Sequence, residues 1–319
     1  MKKSTVWIIV ASSLILIGTS LFAVAMTAYQ WDFKKLSTVE YETTTHTVGD
    51  DFSSIKINVD TANVKFLMSD NGECSVVCHE PENEKHSVSV TDGVLCIDRI
   101  PPDNLINCVG INYYSTAITI YLPKTTYAEL TVTGDTGNVE IPSAFSFESA
   151  EIKISTGDIT YSSETIGSLN LKASTGDIKV ESISVGSMNI RVSTGSVTVR
   201  EVTCAQDIEI ISTTGKSYLS NVSCASFKSM ADTGDLNMKS VIASGKLSIE
   251  RSTGDVMLEG CDANELDILT DTGDVVGTLL SEKIFIINTD TGDIDVPRAT
   301  SGGLCEITTD TGDVEISIE

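Results

Sequence analysis

Positive charge is what this chain has least of. Its 319 residues hold 21 Lys and Arg against 45 Asp and Glu, a formal net charge of −24. The imbalance is steepest in residues 231–319, which carry 19 acidic and 5 basic side chains. Such a surface repels phosphate backbones, anionic lipid and anionic wall polymers. It excludes nucleic acid as a partner and favours cations or cationic surfaces. Aromatics are only 6 % of the chain, too few for the sugar-stacking platforms that polysaccharide-cleaving β-helices often use. Histidine is scarcer still: His46, His79 and His86 are the only three. Everything after residue 86 therefore lacks the commonest general acid–base side chain. The paired Asp residues are so numerous that none stands out as a catalytic dyad. These absences point away from an enzyme.

What is abundant is Ser, Thr, Val, Ile, Gly and Asp, a mixture that favours short strands and turns over helices. The exception is the N-terminus. Lys2 and Lys3 precede an uncharged stretch from Ser4 to Trp31, whose apolar part, Val6 to Ala28, is 23 residues. As a helix it would be about 35 Å long, enough to cross a bilayer. A cleaved signal peptide is the alternative, with Ala23-Val24-Ala25 as a small-residue cleavage site, but the apolar run exceeds the usual h-region. We therefore expect an uncleaved anchor that meets the lipid bilayer through residues 6–28. Trp7, Tyr29 and Trp31 stand where interfacial aromatics belong. No second span follows, and either reading places the remainder outside the cytoplasm.

The remainder is a repeat array. Thr-Gly recurs at Thr136-Gly137, Thr156-Gly157, Thr175-Gly176, Thr194-Gly195, Thr214-Gly215, Thr233-Gly234, Thr253-Gly254, Thr272-Gly273, Thr291-Gly292 and Thr311-Gly312, always 19 or 20 residues apart. Several copies read Asp-Thr-Gly, the tripeptide of aspartic proteases. A protease needs one dyad, so ten copies argue for structure. Aligned on Gly, the seventh residue before it is always apolar, from Leu130 to Cys305. The fifth before is aliphatic except at Ser229, the second after except at Ser217, and the fourth after is apolar except at Gly277. Positions seven and nine after are mostly small or apolar, as in Ile183 and Val185.

Side chains two apart share a face of a strand. Each pair obeys that rule, and the parity breaks between pairs, so the chain must bend there. The pattern predicts an all-β fold, a three-sided parallel β-solenoid of 19–20-residue coils. Its stacking is near 4.8 Å per coil over roughly 43 Å, and the general bias of parallel crossovers favours a right-handed coil. The Thr-Gly corner needs Gly for its backbone. Asp, Ser or Thr before Thr is expected to cap it. Residues 55–66, "IKINVDTANVKF", fit the template with Ala62 at the Gly position. The chain thus divides into an anchor (1–31), a stalk (32–45), an irregular β cap with a degenerate first coil (40–128) and regular coils (129–319).

On "FSSIKINVDTANVKF", "ITIYLP" with "YAEL", and the serial "STGDI" and "DTGDV" coils, residues 40–319 resemble a family of bacterial membrane-anchored proteins. These carry β-strand repeats of unknown function under an adhesin label, LiaG-like proteins of envelope-stress operons among them. The resemblance implies a tethered extracytoplasmic solenoid and brings no catalytic residue with it.

Three kinds of chemistry remain to be weighed. Asp271, Asp274, Asp290, Asp293, Asp310 and Asp313 form acidic columns in which calcium could relieve repulsion between stacked carboxylates; no other cofactor is implied. Cys204, Cys224, Cys261 and Cys305 fall in inward columns and should be buried thiols. That leaves Cys74, Cys78, Cys96 and Cys108 for disulfides in the cap. Cys74, Cys78, His79 and His86 are close enough in sequence for zinc, but alternation puts Cys78 and His79 on opposite faces. The resulting expectation is a non-enzymatic surface scaffold whose partner is an envelope protein, surface protein or glycan. The alternative is a regulatory partner of a membrane signalling system. The final coil, ending "VEISIE", should be the open end, its edge guarded by Glu315 and Glu319.

Overall fold

The computed structural model describes residues 3–32, 39–101 and 115–319. Among the described residues, helix α1 (Lys3–Ala28) is followed by twenty-four strands, numbered β1 to β24 in chain order. Residues Thr5–Ala28 are long and apolar enough to cross a membrane, with a mean hydropathy of 2.4 over an 18-residue stretch. Several of its hydroxyls are satisfied internally: Ser13, Ser20 and Thr27 donate to the carbonyls of Ile9, Leu16 and Ala23 at 2.7–2.8 Å. That is the arrangement an apolar surrounding requires. Gln30 and Trp31, at φ 56° and 58°, close the helix, and the Trp31 amide bonds back to the Met26 carbonyl at 2.8 Å.

The rest is the expected parallel β-solenoid. One coil illustrates all of them. After Gly195, Val197 and Val199 face inward on the first side, Val202 and Cys204 on the second, and Ile208 and Ile210 on the third, each no more than 4 % exposed. Each residue pairs with its counterpart one coil on. In β13 (Ile178–Thr194) and β14 (Val197–Cys204), Ile178 pairs with Val197 and Ile183 with Val202. The core is thus a continuous column of Ile, Val and Leu inside the three sheets.

Two kinds of corner make the bends. The ten Thr-Gly glycines have φ between +133° and +158°. A Cβ added at any of them would run into the backbone carbonyl of the adjacent coil, in most cases that of the neighbouring corner glycine. Gly is required there both by conformation and by the closeness of the coils. The second bend lies six residues after Gly. Ser182, Glu201, Asn221 and Ser240 adopt φ of 52–56°, and Gly260 a φ of 58°. This left-handed residue resets the strand parity between the first and second sides.

The N-terminal cap extends two of the three sides. The degenerate coil, β2 (Ser54–Thr61) and β3 (Asn63–Met68), lies on β8 (Thr126–Thr136) and β9 (Val139–Ile141). Beneath β2 lies β6 (Val94–Arg99), with β5 (His86–Thr91) antiparallel to it. Beneath β3 lies β7 (Ala117–Leu122), followed by antiparallel β4 (Cys74–Pro81) and β1 (Tyr41–Val48). Cys74, Cys78 and Cys96 are free thiols, so none is bonded to another and the disulfides expected of them do not form; Cys108 lies outside the described residues.

The other end corrects the sequence reading. The coil made of β23 (Gly303–Thr311) and β24 (Val314–Ile318) is not outermost. β23 pairs with β19 (Val256–Thr272) on one side and with β21 (Lys283–Thr291) on the other. β24 likewise lies between β20 (Val275–Leu279) and β22 (Ile294–Asp295). The last coil in sequence is inserted beneath the one before it. The outermost edge is therefore β21 and β22, and Glu315 and Glu319 do not guard it. Lys283 fastens this outer coil. It is 2 % exposed and reaches across the inserted coil to Asp262 Oδ1 and Ser281 Oγ, both at 2.5 Å.

One interruption of the core is explained by another. Ser229 stands in an aliphatic column, and Arg251, 1 % exposed, donates from Nη2 to its Oγ at 2.6 Å. Arg251 Nε has no partner, and burial lowers the guanidinium to about 10. Ser229→Ile and Arg251→Ala singly should each destabilise, the first by overpacking and the second by leaving a cavity and an unpaired hydroxyl. Together they restore the column. The double variant should be more stable than either single one by at least about 1 kcal/mol, read as a coupling energy in urea titrations. Additive losses would refute the pairing. The Ser217 hydroxyl is also unpartnered, and nothing in the structure accounts for it.

Candidate interaction surfaces

The corner residues gather into columns. Thr61, Thr136, Thr156, Thr175, Thr194 and their successors to Thr311 and Thr291 lie in register along one exposed edge. The residue after Gly ties the coils together. Asn63 Oδ1 accepts the amide of Asn138, Asn138 that of Asp158, and Asp158 that of Asp177, each at 2.9 Å. Asp177 accepts from Ser196 at 2.7 Å. The ladder lapses at Ser196 and Lys216, where Lys216 instead pairs with Asp235 at 2.8 Å. It resumes through Asp235, Asp255, Asp274 and Asp313, which accept from Asp255, Asp274, Asp313 and Asp293 at 2.8–3.3 Å. Capping of the corner amides thus falls to the residue after Gly. Asp271, Asp290 and Asp310, expected to cap from before Thr, are exposed.

One oxygen of each ladder carboxylate except that of Asp293 is therefore committed to an amide. Among the described residues no group of three or more His, Cys, Asp and Glu is placed to hold a metal ion. The zinc candidates separate as alternation predicts. Cys74 and Cys78 face the core, and burial pushes them up to about 11 and about 12. His79 turns outward to Thr43 Oγ1 at 3.0 Å. His86 is held by Glu80, whose Oε2 lies 2.7 Å from Nδ1.

One concavity escaped the sequence reading. A groove of about 650 Å³ runs along the third side, lined among others by Asn170, Asn189, Glu209, Lys228, Lys246 and Ser248. These stand six or eight before the corner glycines, in the outward columns between the core positions. Within the groove Glu209 accepts from Asn189 Nδ2 at 2.5 Å and from Arg191 Nη2 at 3.0 Å. Lys246 is held charged by Asp267 and Glu265, both at 2.9 Å. The groove sets amides, hydroxyls and charged side chains over a floor that includes Met188, Ile208 and Phe227, and no histidine lines it.

The Toastrack DUF4097 family model matches residues 52–216 and 205–319, which is the whole array and its cap from residue 52 onward. The chain belongs to the Toastrack family. Among solved structures, a putative adhesin from Parabacteroides distasonis is 14 % identical, with 88 % of this Toastrack chain and 98 % of that one covered and a TM-score of 0.48. A putative adhesin from Bacteroides fragilis is 15 % identical, covering 87 % and 97 %, with a TM-score of 0.43. A putative lipid binding protein from Parabacteroides distasonis is also 15 % identical, covering 88 % and 98 %, at 0.42. No curated protein matches the sequence.

Proposed function

We propose that this Toastrack protein is a non-enzymatic, extracytoplasmic interaction scaffold. α1 tethers it to a bacterial membrane, and the lateral groove holds a hydroxyl-rich envelope or surface polymer. The groove carries this reading. It repeats hydrogen-bond donors and acceptors from coil to coil, as an extended polar chain requires, and its Glu209 is engaged by Asn189 and Arg191 rather than left free as an acid–base group. The acidic surface argues against anionic polymers, so a neutral glycan is the ligand class that fits best. The adhesin names of two structural neighbours agree with this reading but carry no weight in it.

Binding of the chain to an immobilised panel of neutral and anionic glycans tests it. Asn189→Ala with Lys228→Glu should weaken neutral-glycan binding at least tenfold while leaving thermal unfolding unchanged. A chain lacking residues 6–28 should bind equally well. Equal binding by the groove variant would refute the site. Function that requires the tether would instead favour a regulatory role beside a membrane partner.

A further inference from the structure

The open end of the solenoid is a strand edge with few defences. β21 pairs with β23 on one side and, among the described residues, with nothing on the other. Its outward face carries Ile284 and Ile286, 42 % and 52 % exposed, in columns filled elsewhere mostly by Ser, Asn, Glu and Lys. The charges that normally blunt such an edge are missing from the middle of the strand. Phe285 and Ile287, the inward pair, are half-buried, and Ile294 is 49 % exposed because no coil lies over it. At the corner stand Asp290, Asp293 and Asp295, all exposed. In the ladder each carboxylate receives the amide of a parallel neighbour one coil further out. Asp293, whose own amide donates to Asp313, is the last rung.

We propose that β21 is a strand-addition site for an extended, cationic segment of a partner protein. The segment runs parallel to β21 and places its apolar side chains over Phe285, Ile287 and Ile294. It gives one amide to Asp293 and its basic side chains to the Asp290–Asp295 corner. Charge decides between this occupant and a second copy of the chain. Residues 231–319 hold 19 acidic against 5 basic side chains, so two such ends meet as like charges, whereas a basic strand meets its complement. The inference stands apart from the groove, which lies on the side of the prism.

The test uses the full chain in nanodiscs of zwitterionic lipid and two labelled peptides, one alternating lysine and valine, the other glutamate and valine. The lysine peptide should bind saturably and the glutamate peptide should not. Ile286→Glu adds attraction for a cation yet spoils the edge, so it should weaken lysine-peptide binding at least tenfold. If the new charge is not tolerated in folding, Ile284→Ser with Ile286→Ser restores the residue types of these columns and should act in the same direction. Equal or tighter binding by the variants would mean that acidic residues attract the peptide without a strand site, and would overturn the proposal. So would failure of the lysine peptide to bind, or sedimentation showing a dimer that Ile286→Glu dissolves.

Discussion

Gly176→Ala should destabilise the protein by roughly 3–5 kcal/mol, combining backbone strain with a steric clash in a packed interior. Gly176 has φ +134°, and the new methyl would meet the Gly157 carbonyl oxygen one coil away. Neither coil can yield cheaply, because the Gly157 amide is bonded to Thr175 O and the Gly176 amide to Thr194 O, both at 2.9 Å. Denaturant unfolding followed by circular dichroism measures the effect. Gly49→Ala is the control, since a methyl there meets nothing within 4 Å. Gly292→Ala should have a smaller global effect despite a similar clash, because the outermost coil can loosen without parting the array. A Gly176 variant as stable as the Gly49 variant would refute the account of the corner.

Alkali should unfold the protein well before backbone chemistry intervenes. Burial pushes the Cys78, Cys224 and Cys305 thiols up to about 12 and Cys74 to about 11, and raises Cys204 and Cys261 as well. An unfolded thiol ionises near 8.5. The folded values are the higher ones, so the folded state holds these protons more tightly. The stability they confer is intact below about pH 8.5 and is lost as pH climbs toward 12. Each thiol near 12 removes about 1.4 kcal/mol per pH unit across that window. Over two units the three together remove about 8 kcal/mol, comparable with the whole stability of an ordinary domain. Cooperative unfolding is therefore expected between about pH 10 and 11, with thiolate absorbance rising in the same transition. Replacing Cys78, Cys224 and Cys305 by Ala should move the midpoint to higher pH. Thiolates that form without loss of structure would contradict their burial.

The inward columns made the coil legible in the sequence. Leu130, Val132, Val139 and Ile141 and their counterparts alternate in pairs whose parity breaks twice, and only a bent, stacked chain satisfies that. The second bend was legible as a break but not as a residue. Of Ser182, Glu201, Asn221, Ser240 and Gly260, only Asn and Gly announce a left-handed backbone chemically. The order of the last two coils was not legible. Phe285, Ile287, Ile294 and Val296 fill the same columns as Cys305, Ile307, Val314 and Ile316, so either set can lie against β19. The signals lay off the columns, in Lys283 reaching Asp262 and in isoleucines at outward positions 284 and 286. The groove was missed for a related reason. Its residues fill the columns between the core positions, where a polar side chain reads as ordinary solvation until several are seen to line one trough.

The inserted coil changes what synthesis of this protein must accomplish. A solenoid stacked in sequence order can be laid down like courses of masonry, each course resting on the last as the chain emerges. Here, past the cap, that rule holds only from β8 to Leu279. Residues 283–296 emerge before their support exists and must stand aside while residues 303–318 are made and slipped beneath them. Until then β19 and β20 offer a bare edge on which the wrong coil also fits. The final approach to the native state is thus a choice between two seatings of nearly equal pattern, made after the rest of the column has set.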